Sequence, residues 1–296
     1  MQGGARSRGI GLETPMQEGQ FSRTAQRVAI RRAAHQLLDD PKVLDDPLAL
    51  RIIGIEAAEA LRSSPREGHG FSRAFRAFMA ARSRYAEDQI AHAVANGVNQ
   101  CVVLGAGLDT FACRNPHAGL PVFEVDHPAT QAWKRERLHA AGITIPPTVT
   151  FVPVDFERQI LADELRGAAF QESEPAFFSW LGVTPYLSHA AFMTTLSFIA
   201  KMPAGSGVVF DFAIDRKLLN PGQRIAADAL ARRVAEYGEP FHLFFDPEML
   251  QEELKGLGFG RTEFLDRQHL NARYFHDRSD GLRVRGGLGH LMCAWL

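Results

Sequence analysis

The chain has few cysteines and no long hydrophobic run. Its 296 residues include only three cysteines, Cys101, Cys113 and Cys293, and each stands in an apolar stretch. This number and placement exclude a disulfide framework and a zinc site, and they favour reduced thiols. No run approaches the ~18 consecutive apolar residues of a membrane helix, and no signal-peptide core follows Met1. We therefore expect a soluble, cytoplasmic protein with no membrane partner.

The chain also lacks a charge excess of either sign. Its 33 Lys and Arg residues face 34 Asp and Glu residues, which gives a formal net charge of −1. No basic cluster stands out beyond the short Arg-Gly start, so a nucleic-acid partner is not indicated. With 46% hydrophobic and 23% charged residues, the chain has the material for one large globular domain. Nothing in the composition indicates an oligomeric state.

The residues that organise the chain are an apolar strand and the glycine turn after it. The strand is predicted over 100–104, and Gly105-Ala106-Gly107 forms a turn in which the backbone can approach a ligand closely. A dinucleotide fold would have a third glycine at the position of Thr110. Asp109 would repel a pyrophosphate but suits a sulfonium, which favours S-adenosylmethionine (SAM) over NAD. A structural strand-to-helix turn without a ligand is the alternative.

A second apolar strand ends in an acid at a fixed distance from the glycine turn. Residues 121–126 read P-V-F-E-V-D, and Asp126 follows Gly105 by 21 positions. In βαβ nucleotide folds, an acid about 20 residues on accepts hydrogen bonds from the ribose hydroxyls. The alternative is that Asp126 caps the helix that contains Trp133 and Leu138, since Pro128 indicates a helix start nearby.

Three motifs in this order resemble the leucine carboxyl methyltransferase family. They are R-S-R-Y at 82–85, L-G-A-G-L-D-T at 104–110 and F-E-V-D-H-P at 123–128. The chain is similar to the bacterial branch of that family, the class I SAM-dependent O-methyltransferases, from about Ser22 to its C-terminus. The resemblance implies SAM as the cofactor and methylation of an oxygen, often a carboxylate, on a small-molecule acceptor.

The resemblance also implies a fold. We expect an α/β, Rossmann-like class I methyltransferase with a mostly parallel seven-stranded sheet, an antiparallel C-terminal strand and an N-terminal helical cover. Residues 1–20 lack apolar periodicity and are expected to be a disordered tail. Residues 21–296 would form a single methyltransferase domain, with 21–95 as the helical cover and 96–296 as the sheet core. The cover is predicted to begin with a helix from Ser22 that ends before Pro41, followed by a short helix that ends at Ile53.

A long helix predicted over 71–94 carries an arginine on its apolar face. Phe71, Phe75, Phe78, Arg82 and Tyr85 recur at intervals of four and three, so Arg82 faces inward. An inward guanidinium needs a carboxylate, either an internal Asp or Glu or the methionine carboxylate of SAM. The family motif adds Arg84, although a straight helix points it elsewhere.

Two further strands bring more candidate residues to the same edge of the sheet. The third strand, at 149–154, is followed by Asp155 and Phe156, which in class I methyltransferases would bind the adenine; a helix N-cap is the alternative for Asp155. After the fourth strand, many family members carry a Glu where this chain has Trp180, Leu181 and Gly182, which suggests a more apolar acceptor. The expected cofactor residues are therefore Arg82, Arg84, Gly105, Ala106, Gly107, Asp109, Asp126, His127, Asp155, Phe156 and Trp180.

The last third of the chain predicts the end of the fold. A fifth strand is expected at 208–212, an inserted helix at 218–237 and a helix that begins after Asp246 and ends near Gly258. Residues 261–265 and 290–295 then form an antiparallel pair. The insertion is expected to line the acceptor site.

The sequence does not identify a general base. A carboxylate acceptor is already a nucleophile, whereas a phenol or alcohol usually needs a base, and histidine is the commonest one. His127, His189, His242 and His290 are candidates by location only. The expected function is a SAM-dependent O-methyltransferase for a small molecule, in secondary, polyketide-like metabolism. A non-catalytic SAM-binding or partner-binding protein and a nicotinamide oxidoreductase are the alternatives.

Overall fold

A seven-stranded sheet forms the centre of the computed structural model, which describes residues 22–63, 70–156, 158–236 and 240–296. The strand order is β3-β2-β1-β4-β5-β7-β6. β1 to β5 run parallel to one another, and β7 is antiparallel to both β5 and β6. This confirms the mostly parallel sheet with an antiparallel C-terminal strand. The strands are β1 Gln100–Leu104, β2 Val122–Asp126, β3 Val149–Pro153, β4 Ala176–Trp180, β5 Gly207–Ala213, β6 Arg261–Leu265 and β7 Gly289–Trp295.

The apolar runs of the sequence become the central strands. Every residue of β1, β4 and β5 is buried, as expected for parallel strands covered by helices on both faces. β1 pairs with β2 on one side and with β4 on the other, so the strand order reverses beside it. Ligands of open α/β sheets bind at such a switch point, beyond the carboxyl ends of the strands.

The helices begin and end at the residues that local sequence signals indicate. The Ser22 side chain accepts from the Ala25 N–H at the start of α1, and Asp246 with Pro247 opens α10. Gly258, with φ of +108°, ends α10 in the left-handed conformation. The helices are α1 Arg23–Leu38, α2 Ala49–Ile53, α3 Ile55–Arg62, α4 Gly70–Ala95, α5 Phe111–Arg114, α6 Pro128–Ala140, α7 Leu161–Gly167, α8 His189–Ile199, α9 Pro221–Ala235, α10 Pro247–Leu257 and α11 Arg267–Tyr274.

Some expectations fall outside the described residues, and others need adjustment. The predicted tail over 1–20, the side chain of Phe71 and the end of the inserted helix at 237 belong to the first group. The helix after the glycine turn is only one turn long, because Asn115 and Pro116 follow α5 directly. No helix within the described ranges is long and apolar enough to cross a bilayer.

The N-terminal helices pack over the end of β1 through a core of their own. Ala29 of α1, Ile52 of α2 and Leu61 of α3 are buried together with Leu108, which follows the glycine turn, and with Leu138 of α6. This small apolar core fixes the helices above the carboxyl edge of the sheet. The cover therefore lies where a ligand of β1 and β2 would bind.

A buried ion pair holds α6 against β2. Lys134 Nζ lies 2.6 Å from Glu124 Oε2, and both residues are about 1% exposed. Burial raises the pKa of Glu124, and the ammonium of Lys134 offsets only part of that rise. Each charge is tolerated in the interior because the other is present.

We expect Lys134→Met to lower the free energy of unfolding by about 3–5 kcal/mol, because it leaves the Glu124 carboxylate buried without a partner. The double variant Glu124→Leu/Lys134→Met should recover most of that loss. Urea denaturation measures both, with Lys201→Met at an exposed position as the control. A single variant as stable as the control would show that the pair is not needed to hold α6.

Candidate functional site

A cavity of about 840 Å³ lies at the carboxyl ends of β1, β2 and β4, beneath α1. This volume is near the upper end of the ~300–1,000 Å³ usual for small-molecule sites. The structure brings nine of the eleven sequence-predicted cofactor residues to the cavity wall. They are Arg82, Gly105, Ala106, Gly107, Asp109, Asp126, His127, Asp155 and Phe156.

The glycine turn has the shape of a close-approach element. Gly105 and Gly107 have φ values of +65° and +45°, which favour glycine. A Cβ at Gly105 would overlap Val183 of the loop after β4, and one at Gly107 would lie 3.0 Å from the Cβ of Ala25 in α1. The missing side chains therefore let the turn, the β4 loop and α1 meet around the cavity.

Asp126 is anchored by the turn that it faces. Its Oδ2 accepts from the Gly107 N–H at 2.5 Å and its Oδ1 from the His127 N–H at 2.7 Å. Burial raises the pKa of Asp126, and these two backbone donors offset part of the rise. The N-cap of α6 is His127, whose Nδ1 accepts from the Ala129 N–H, so the capping alternative for Asp126 is wrong. A carboxylate accepts about four hydrogen bonds, which leaves Asp126 capacity for a ligand hydroxyl.

Asp109 is held by a buried arginine that the sequence analysis did not connect with it. Arg32 of α1 places Nη1 3.1 Å from Asp109 Oδ2, and its Nη2 reaches Asp46 at 2.5 Å and Thr110 at 2.6 Å. Burial opposes ionisation of Asp109, but the guanidinium groups of Arg32 and Arg114 outweigh it and lower its pKa. The carboxylate is charged but already balanced, which weakens the expected attraction between Asp109 and a sulfonium.

Arg82 faces inward, as the helix periodicity predicts, and it meets an internal acid. Its Nη1 donates to Asp211 Oδ2 of β5 at 2.5 Å, and the Gly182 N–H donates to the other oxygen at the same distance. The Arg82 side chain is 6% exposed and lines the cavity, and none of the described residues bonds to its Nε. The internal partner is the first of the two alternatives that the sequence left open. Binding of a SAM carboxylate by the remaining edge stays a prediction.

Two predicted cofactor residues do not reach the cavity. Arg84 lies on the outer side of α4, because two residues along a helix turn its side chain by more than half a revolution from Arg82. The Arg84 side chain is 49% exposed, and its Nε donates to Asp88 at 2.7 Å. Trp180 is fully buried and stacks on Phe192 at 5.3 Å in the core on the opposite face of β4. Alternation along the strand points Ser179 to the cavity instead.

Asp155 and Phe156 lie at the cavity wall just beyond β3. Asp155 Oδ2 is 3.6 Å from Arg158 Nε, and its backbone N–H donates to the Gln159 side chain at 2.8 Å. Ile160 is the N-cap of α7, so the capping alternative for Asp155 is also wrong. Their assignment to an adenine remains a prediction from the resemblance.

Other residues line the cavity without a motif to predict them, and His242 was a candidate by location only. Tyr186 and His242 lie more than fifty positions apart, and a hydrogen bond from the His242 N–H to Pro185 O, 2.7 Å long, brings them together. From α1, the small side chains of Ala25, Val28 and Ala29 line the cavity. Of the other histidine candidates, His189 pairs with Glu253 at 3.4 Å and His290 bonds to Gly287 O, both away from the cavity. Within the described residues, no group of His, Cys, Asp and Glu could hold a metal ion.

Comparisons with known structures agree with this architecture. A protein from Thermobifida fusca described as a methyltransferase superposes with a TM-score of 0.54 at 18% identity, covering 90% of this chain and 93% of that one. A DUF574 family protein from Streptomyces avermitilis superposes with a TM-score of 0.53 at 18% identity, covering 90% and 96%. At this identity the likeness shows the class I methyltransferase fold.

Comparisons of sequence identify the family. YktD of Bacillus subtilis (strain 168), whose name assigns it to the SAM-dependent methyltransferases, is 31% identical over 291 residues, 90% of this chain and 95% of that protein. A similarly named protein of a Mycobacterium species (strain MCS) is 29% identical, over 72% of this chain and 81% of that protein. The family profile described as leucine carboxyl methyltransferase matches residues 25–200. The chain therefore belongs to the leucine carboxyl methyltransferase family and is a SAM-dependent methyltransferase.

Proposed function

We propose that this methyltransferase transfers the methyl group to an oxygen, a hydroxyl or a carboxylate, of a small molecule of secondary, polyketide-like metabolism. The observation that carries the proposal is the composition of the cavity, which joins Asp126 and the glycine turn to an apolar end at Leu181, Val183 and Tyr186. The polar end suits a nucleoside cofactor, and the apolar end suits an acceptor with a hydrophobic body. The cytoplasmic location and the absence of nucleic-acid and membrane partners stay predictions from composition.

The residues at the polar end fit SAM. Asp126 has acceptor capacity for the ribose hydroxyls, and the three residues of the glycine turn line the same cavity. Asp155 and Phe156 are suited to the adenine amine and ring. The Arg82 Nε, which is buried and has no partner among the described residues, is suited to the methionine carboxylate. When bound, SAM supplies an electrophilic methyl group on a positively charged sulfur.

The chain's own contribution is alignment and exclusion of water. The helical cover lies over the cavity through Ala25, Val28 and Ala29, whose apolar side chains keep water from the reacting atoms. The β4 loop packs on the glycine turn through Val183 and Gly105, so the two ligand-binding segments keep one relative position. In-line transfer depends on such positioning more than on covalent chemistry by the protein.

The direct test is methyl transfer from radiolabelled SAM to a panel of small phenols, alcohols and carboxylic acids. We expect labelled product with at least one oxygen acceptor and none with amines or thiols of the same shape. Treatment with base identifies the linkage, because methyl esters release labelled methanol and methyl ethers do not. Transfer confined to nitrogen or sulfur would contradict O-methylation. A thermal shift assay with SAM, S-adenosylhomocysteine and NAD in parallel tests the two alternatives. A SAM-binding protein is stabilised by SAM and S-adenosylhomocysteine, and an oxidoreductase by NAD, because a ligand bound only by the native state raises the melting temperature of the protein.

We expect Asp126→Asn to weaken SAM binding by about 10- to 100-fold. The variant removes a charge-assisted hydrogen bond to the ribose, worth about 1.5–3 kcal/mol. Titration calorimetry with SAM measures the change, with the exposed Asp163→Asn as the control. A folded Asp126 variant with the affinity of the control would show that Asp126 is only a support for the glycine turn.

Decarboxylated SAM tests the proposed role of Arg82. Wild-type protein should bind it about 10-fold or more weaker than SAM, because one charge-assisted pair is lost. In Arg82→Lys the affinities for SAM and for decarboxylated SAM should differ less, because an ammonium cannot hold Asp211 and the ligand in the same fork geometry. The variant should also lower the melting temperature of the ligand-free protein, because Asp211 loses its bond. Equal affinity of the wild type for both ligands would rule out recognition of the carboxylate.

A further inference from the structure

The acceptor end of the cavity is built from two segments that one carbonyl joins. His242 N–H and Leu243 N–H both donate to Pro185 O, at 2.7 and 3.2 Å. These bonds place Pro240 and His242 at the cavity wall beside Tyr186. The segment over 240–245 is therefore part of the site, on the side away from Asp126 and Asp155.

Tyr186 brings an aromatic ring to this end of the cavity. Its ring centroid lies 5.4 Å from that of Phe241, and the ring centroids of Phe241 and Phe244 lie 6.4 Å apart. The Tyr186 ring at the cavity wall is suited to pack against a flat aromatic body.

The positive charges of the cavity are committed elsewhere. Three arginines line it, and each faces a carboxylate: Arg32 faces Asp46 and Asp109, Arg82 faces Asp211, and Arg158 faces Asp155. Among the described lining residues, the acceptor end has no lysine or arginine of its own. An anionic acceptor would lose its hydration there without gaining a cation.

An imidazole lies at this end of the cavity. His242 lines the cavity and is exposed, and no described side chain bonds to its ring. His127 also lines the cavity, but its Nδ1 already accepts from the Ala129 N–H. His242 is thus placed to meet an acceptor, whereas His127 serves α6.

We propose that the acceptor is a neutral aromatic hydroxyl and that His242 is the general base for its methylation. The inference rests on the proposed function and names its substrate class. As the hydroxyl oxygen forms its bond to the methyl carbon, its proton passes to a ring nitrogen of His242; the sulfur–carbon bond breaks and its electron pair stays on sulfur. A carboxylate would need no base but would need the cation that this end lacks. The imidazole of His242 and the Tyr186 ring, both at the cavity wall, together favour a phenol.

Binding of matched ligands tests the substrate class without turnover. The protein is saturated with S-adenosylhomocysteine and titrated with 1-naphthol and with 1-naphthoate, which share one ring system. We expect 1-naphthol to bind at least 10-fold more tightly than 1-naphthoate. The Tyr186→Ala variant should bind 1-naphthol more weakly than the wild type. Preference for naphthoate, or no binding of either, would overturn the proposal. Binding of S-adenosylhomocysteine in the first step reports separately on the cofactor site of the proposed function.

Acceptors of different acidity test the base. His242→Gln should slow methyl transfer to 1-naphthol by about 100-fold or more, the usual contribution of a general base. It should spare most of the transfer to 4-nitro-1-naphthol, which is ionised at pH 8 without help. His189→Gln, at a histidine away from the cavity, should behave as wild type on both. Equal losses of methyl transfer to the two naphthols in His242→Gln, or no transfer to either by the wild type, would overturn the assignment. An unchanged SAM affinity of His242→Gln shows that its slower transfer is not caused by a folding defect.

Discussion

The buried guanidinium of Arg32 is the interaction on which the cavity depends. It joins the cover helix α1 to Asp46 before α2 and to Asp109 and Thr110 beside the glycine turn. Burial alone would lower the pKa of Arg32, but the carboxylates of Asp109 and Asp46 outweigh this effect, so that the pKa of Arg32 is raised. A group of this kind is stable only when all its members are present, because any charge left alone in the interior is costly. The Arg32 side chain therefore fixes α1, which covers the cavity, relative to the glycine turn at the other side of it.

The cofactor end could be predicted from the sequence because its signals are local. Gly105, Gly107 and Asp126 carry their meaning in their spacing along one βαβ unit, and the structure brings all three to the cavity. Trp180 could not be placed in the same way, because a buried strand has two apolar faces and its sequence does not say which one meets the ligand. Arg84 followed from a motif rather than from helix periodicity, and the periodicity alone points away from the cavity.

The acceptor end could not be predicted, for a physical reason. Its contacts are formed between segments far apart in the chain, and loops show no hydrophobic periodicity. The pairing of Arg82 with Asp211 is of the same kind: periodicity gave the direction of the arginine, but its partner lies 129 residues away. The cavity thus combines an end at the glycine turn, held by strands and charge pairs, with an end at Tyr186 and His242, held by contacts between loops.

The attachment of the 240–245 segment through Pro185 O leaves the side chains of this segment free to vary. Both hydrogen bonds use backbone N–H groups, so they do not depend on which side chains stand at 241, 242 and 244. Substitutions there can remodel the pocket without detaching the segment or disturbing Asp126. Because the backbone alone holds this segment, its side chains can be exchanged while the end of the cavity at the glycine turn keeps its geometry.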